Sequence, residues 1–115
     1  MNTKSIYDTV VLRSPCSHNQ FLTHLDSTVR SLTALYKKSY VITKDNVWSV
    51  PQSIHSDIPV YEEYFSSIVS NILYLLTGDQ DKKTDYIAES DAAYLSVWSE
   101  KSRSKRFIDR GYSDV

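Results

Sequence analysis

A chain of 115 residues has the length of one domain, and one this size buries roughly two-thirds of the surface its unfolded form exposes. Its 41% apolar and 23% charged residues are ordinary globular composition and exclude wholesale disorder. A net charge of −1 excludes a global field that gathers nucleic acid or an anionic membrane, and the lone Cys16 excludes an internal disulfide framework.

Nine tyrosines stand against two glycines. Tyrosine offers a large contact area with a polar tip, which suits a partly wet interface or the periphery of a core. Scarce glycine argues against loops that cradle phosphate. Met1 to Tyr7 is polar and lacks the apolar centre of a signal peptide. The longest uncharged run, Tyr64 to Gly78, is broken by Ser66, Ser67, Ser70 and Asn71, so it falls short of the ~20 apolar residues of a membrane span. A soluble protein is expected.

The first predicted helix opens after Ser14-Pro15, where Ser17 and Gln20 have the spacing of a capping box. Phe21, Leu22, Leu25, Val29, Leu32, Leu35 and Tyr36 follow at helical spacing, with Asp26, Arg30 and Lys37 off the stripe. Lys37 and Lys38 close it, where cations complement the helix dipole. Tyr40 to Thr43 and Val47 to Val50 then read as the arms of a short β-hairpin around Lys44-Asp45-Asn46. Pro51 to Pro59 reads as a polar loop anchored by Ile54.

The second predicted helix begins near Pro59, with Glu62 and Glu63 in its first turn, and closes at Gly78 as a left-handed cap. Tyr61, Tyr64, Phe65, Ile68, Val69, Ile72, Leu73, Leu75 and Leu76 cover much of its circumference. No charge lies between Glu63 and Asp79. A helix on a domain surface usually carries charges outward, so this one is expected to be packed on several sides. A third helix starts at Asp79 or Asp81, with Tyr86, Ile87, Ala93, Tyr94, Val97 and Trp98 as its stripe. The short link makes the second and third helices an antiparallel hairpin. The fold expected is mainly α: a small helical bundle built on that hairpin, with a short β-hairpin or extended segment between the first two helices and an extended C-terminal tail. Residues 1–103 read as the helical domain and 104–115 as a basic extension.

His18, His24, His55 and Cys16 match neither a zinc-finger spacing nor the paired histidines of a metalloprotease helix. Glu62-Glu63 and Asp79-Gln80-Asp81 read as charges placed at helix ends rather than as an acid–base pair. No metal, cofactor or catalytic residue is assigned. Residues 101–115 hold five lysines and arginines against two aspartates, interleaved with Phe107, Ile108 and Tyr112. Cations alone suffice to neutralise phosphates. Cations with spaced apolar anchors fit docking on another protein better. The candidate interface residues are therefore Tyr64, Ser67, Ser70, Asn71 and Tyr74 on the second helix, with Lys101, Arg103, Lys105, Arg106, Phe107, Ile108, Arg110 and Tyr112 at the end of the chain.

In this order the pieces resemble the head–tail connector proteins of tailed bacteriophages, also called adaptor or head-completion proteins. The resemblance is carried by Val10-Val11-Leu12 with Ser14-Pro15-Cys16, the capped helix ending at Lys37-Lys38, and Trp48 in a β-like segment. Ile58-Pro59-Val60-Tyr61 before an uncharged helix, the Gly78-Asp79-Gln80-Asp81 turn and the basic end complete it. It lies in pattern and not in a diagnostic signature. It implies a homo-oligomeric ring, commonly of twelve copies, between a portal protein and a tail or stopper protein. DNA would pass through the lumen without sequence-specific binding. Membrane and cofactor have no part in it, and the setting would be the virion, with the host cytoplasm during assembly. The residues alone leave two other readings open, a small regulatory module that binds one protein and a helical nucleic-acid-binding protein.

Overall fold

The computed structural model describes the backbone of residues 1–37, 41–44 and 48–113, with side chains as far as residue 100. The architecture is mainly helical: α1 (Thr3–Val11), α2 (His18–Tyr36), α3 (Phe65–Thr77) and α4 (Gln80–Ser113), with a 3₁₀ turn, Glu62–Tyr64, leading into α3. The central element is α3, against which α1, α2 and α4 all pack.

The sequence reading leaves Met1 to Leu12 without a helix, and α1 fills it. Nine residues are too few for a helix that stands alone in water. Asn2 caps this one, its Oδ1 accepting from the Lys4 and Ser5 amides at 2.9 and 3.3 Å. Ile6 and Val10, one turn apart, are wholly buried. Tertiary packing therefore supplies what length does not.

In α2 the capping box is present. Ser17 Oγ accepts from the Gln20 amide at 3.2 Å, and Gln20 Oε1 accepts from the Ser17 amide at 3.1 Å. Phe21, Leu25, Val29 and Leu32 form the buried stripe, while Leu35 leaves it and is half-exposed. Lys37 takes the left-handed conformation at φ 55° and ends the helix. Lys38 lies outside the described residues.

Of the β-hairpin and the extended segment expected between the first two predicted helices, the described residues take the extended form. The hairpin's turn, Asp45 and Asn46, lies outside them with Tyr40 and Val47, and residues 48–50 have no regular structure. Residues 42–44 pair instead with 59–61. The Lys44 amide donates to the Pro59 carbonyl at 2.6 Å, and the Tyr61 amide donates to the Ile42 carbonyl at 3.2 Å. Burial explains the choice, because Val41, Ile42, Ile58 and Val60 are all at most 3% exposed and a local hairpin would leave them unpaired with the bundle. Trp48 turns away, its Nε1 donating to Asp26 on α2 at 2.8 Å.

This extended strap also moves the start of the following helix. Ile58 and Val60 are buried in the period-two pattern of a strand, so Pro59 is extended and not helical. Met1 and Asn2 hold the strap from the other side, with the Ile58 amide donating to the Met1 carbonyl at 2.9 Å. The 3₁₀ turn then begins at Glu62. Gly78, at φ 74°, closes α3 and donates its amide to the Tyr74 carbonyl at 2.7 Å. Asp79 opens α4, its Oδ1 accepting from the Asp81 amide at 2.9 Å.

Two residues link α3 to α4, so the chain reverses on itself. Tyr86, Ser90, Ala93 and Val97 are the buried stripe of α4. Beyond Lys101, where an extended tail is expected, the backbone stays helical to Ser113. Among the described residues no helix is long and apolar enough to cross a membrane.

Candidate functional site

The uncharged helix has its explanation inside the chain. Ser67 is wholly buried and donates to the Tyr64 carbonyl at 3.0 Å. Asn71, 7% exposed, donates from Nδ2 to Thr28 Oγ1 on α2 at 2.7 Å, and that hydroxyl in turn donates to the His24 carbonyl. Ser70 donates to the Glu89 carboxylate on α4. The polar flank expected to face a partner thus faces α2 and α4. Buried polar groups need partners, and α3 finds them in its own bundle. Tyr64, Ser67, Ser70 and Asn71 are corrected accordingly from interface residues to core residues.

Tyr64 is the largest of the wholly buried side chains among the described residues. Its hydroxyl has no hydrogen-bond partner among the described residues. Burial, reinforced by Tyr94 and Glu63, pushes its ionisation well above the ordinary tyrosine value. Tyr74 remains half-exposed, with Lys83 Nζ 5.5 Å from its ring centre. Lys101, Arg103, Lys105, Arg106, Phe107, Ile108, Arg110 and Tyr112 all belong to the helical backbone of α4.

A surface absent from the sequence reading lies where α4 meets the end of α2. Ser31 and Tyr86 share a hydrogen bond at 2.8 Å, and the Tyr36 hydroxyl donates to Asp91 at 2.6 Å. The Tyr36 ring stacks on Tyr94 at 4.5 Å and 9°, and Tyr94 lies parallel to Trp98 at 6.5 Å. Desolvation, then the Asp91 carboxylate, raises the ionisation of Tyr36. Around this ladder Leu95 is 61% exposed, Ile87 41% and Trp98 36%. The sequence stripe assigned Ile87 and Trp98 to the core and passed over Leu95. The signal was present, since Leu95 is five residues from the buried Ser90 and two from Ala93, off the stripe by helical spacing.

The register of α3 against α4 determines how far this surface runs. Ser70 meets Glu89, and Glu63 lines one shallow depression with Ser96. The two helices are thus antiparallel, and α4 passes the start of α3 near Val97, the last described residue of its core stripe. From Trp98 to Ser113 it continues for about 24 Å at helical rise. That overhang begins at the exposed Leu95–Trp98 patch and carries the basic residues.

On the opposite side of α4 an open cleft of about 440 Å³ lies over α3, floored by Phe65, Val69 and Leu73 and rimmed by Arg13, Lys82, Asp85 and Glu89. Its charges are of both signs, and Lys82 already approaches Asp85 at 3.8 Å. Burial raises the ionisation of the Cys16 thiol, which disfavours the reactive thiolate. Among the described residues no three of His, Cys, Asp and Glu gather as metal ligands. The chain matches no protein-family model, no curated protein and no solved structure.

Proposed function

We propose that this chain is a structural, non-catalytic subunit that joins other proteins through α4, and that its setting is the head–tail connector ring of a tailed phage. One observation carries the first part: α4 runs four turns past the bundle that stabilises it, with exposed apolar residues where it leaves. A helical segment of about sixteen residues is marginal in water by itself, so burial against a partner is what such an overhang is suited to. The second part rests on the sequence resemblance to connector proteins. The charge-free α3 lends it nothing, because its polar flank is satisfied within the chain. In this reading the partners are further copies, a portal protein and a tail or stopper protein, with assembly in the host cytoplasm and the head–tail interface of the virion as destination.

The test is native mass measurement and electron microscopy of the chain, alone and mixed with any portal and tail proteins encoded in the same genome. Closed rings in either sample support the reading. The absence of any ring, with or without those proteins, overturns it, and so does steeply salt-dependent DNA binding as the sole interaction.

A further inference from the structure

The charges of α4 and its flanking cap are segregated along its length. Asp79, Asp81, Asp85, Glu89 and Asp91 face only two cations, Lys82 and Lys83, so residues 79–91 carry −3. Lys101, Arg103, Lys105, Arg106 and Arg110 face only Asp109, so residues 101–113 carry +4. The helix dipole accounts for charges in the first and last turns but fades beyond them. Asp85, Glu89 and Asp91 lie in later turns, as do Lys101, Arg103 and Lys105. Between the two blocks lie Leu95, 61% exposed, and Trp98, 36% exposed.

We infer that α4 pairs antiparallel with α4 of a second copy, about a two-fold axis at Leu95 and Trp98. A two-fold contact is self-complementary, so a residue on one copy meets its counterpart across the axis. Setting the axis between 95 and 98 places Leu95 of each copy against Trp98 of the other. The same register sets Asp91 opposite Ser102, Ala88 opposite Lys105 and Thr84 opposite Asp109, so the blocks meet one turn apart along the seam and not residue on residue. The acidic half of each helix then runs along the basic half of the other. The sites 88, 91, 95, 98, 102 and 105 alternate by three and four, the spacing of one seam on a helix. A parallel pair would oppose acid to acid and base to base. The patch and the two charge blocks therefore select the antiparallel orientation, and a second copy is the occupant in which both complementary blocks are present at once. The inference requires only α4 and does not rest on the connector reading. In a ring-forming protein this pair would be a resting form that covers α4 before assembly.

Complementary charge variants of the full chain test it. In one variant Asp85 and Asp91 become Lys. In the other Lys101, Lys105 and Arg106 become Glu. Sedimentation equilibrium is measured for the wild type, for each variant and for their equimolar mixture, with circular dichroism to establish that each is folded. The expected result is a dimer for the wild type, at least tenfold weaker self-association for each variant, and recovery of a dimer in the mixture. Orientation is read from the single variants, since an antiparallel pair loses its complementary blocks in each and a parallel pair has none to lose, and recovery in the mixture shows that the loss was one of charge. A monomeric wild type at all attainable concentrations overturns the inference. Two folded variants that still dimerise as the wild type does also overturn it. Leu95→Glu, on the axis, gives an independent reading, since it too must abolish the dimer while circular dichroism still reports a folded chain.

Discussion

Thr28 and Asn71 form a buried pair whose removal tests whether α3 is satisfied within a single chain. Thr28 is wholly buried and Asn71 nearly so, and the Asn71 amide donates to the Thr28 hydroxyl at 2.7 Å. Thr28→Val keeps the shape but strands a buried amide donor, which costs about 2 kcal/mol. At roughly 4 °C per kcal/mol for a domain of this size, the midpoint falls by about 8 °C. Asn71→Leu removes the amide and leaves Thr28 still donating to the His24 carbonyl at 2.7 Å, so it costs under about 1 kcal/mol. With no amide left to strand, adding Thr28→Val to Asn71→Leu costs little more, and the cycle shows a coupling of at least about 1 kcal/mol. The assay is urea unfolding of the four proteins at concentrations low enough to keep them monomeric. If both single variants are neutral and the double is additive, the polar flank of α3 is not buried in the isolated chain and the reasoning fails.

Tyr64 has a buried hydroxyl without a partner among the described residues, so Tyr64→Phe is expected to leave stability unchanged or raise it by up to about 1 kcal/mol in the same assay. Burial raises the ionisation of Tyr64 and Tyr86 above the ordinary value of 10.0. Below that value both folded and unfolded chains keep these protons. Above it the unfolded chain releases them first, so the urea midpoint should fall as pH rises past about 10, and less steeply in Tyr64→Phe. Gly78→Ala meets no neighbouring atom, so its cost should be only the strain of a left-handed alanine at φ 74°, about 1 kcal/mol by thermal unfolding.

Helix type and caps were legible because they depend on local chemistry. Ser17 with Gln20 and Gly78 act where their sequence spacing puts them. The strap was not legible, since pairing of residues 42–44 with 59–61 is a contact made across an intervening loop, and alternation at Ile58 and Val60 was masked by Pro59 beside a helical run. The short α1 was missed because its stability comes from Ile6 and Val10 packing into the bundle, with one asparagine as its local signal. The absence of charge in α3 correctly implied packing on several sides. What covered those sides could not be read from α3 alone, because Thr28 and Glu89, the partners of Asn71 and Ser70, lie 43 and 19 residues away. The surface of α4 was blurred for a related reason. Helical spacing groups Ile87, Tyr94 and Trp98 with the core, and only the position of α2 shows that they line its edge.

That α4 joins this protein to others while the bundle folds without its end is tested most directly by deleting residues 104–115. Thermal unfolding and oligomer mass are then measured on the truncated and full chains, with and without the candidate assembly partners. The expected outcome is an unchanged thermal midpoint at concentrations where both chains are monomeric, because the α4 core stripe runs through Val97, together with loss of assembly at higher concentration or with partners. Assembly that survives the deletion would contradict the account.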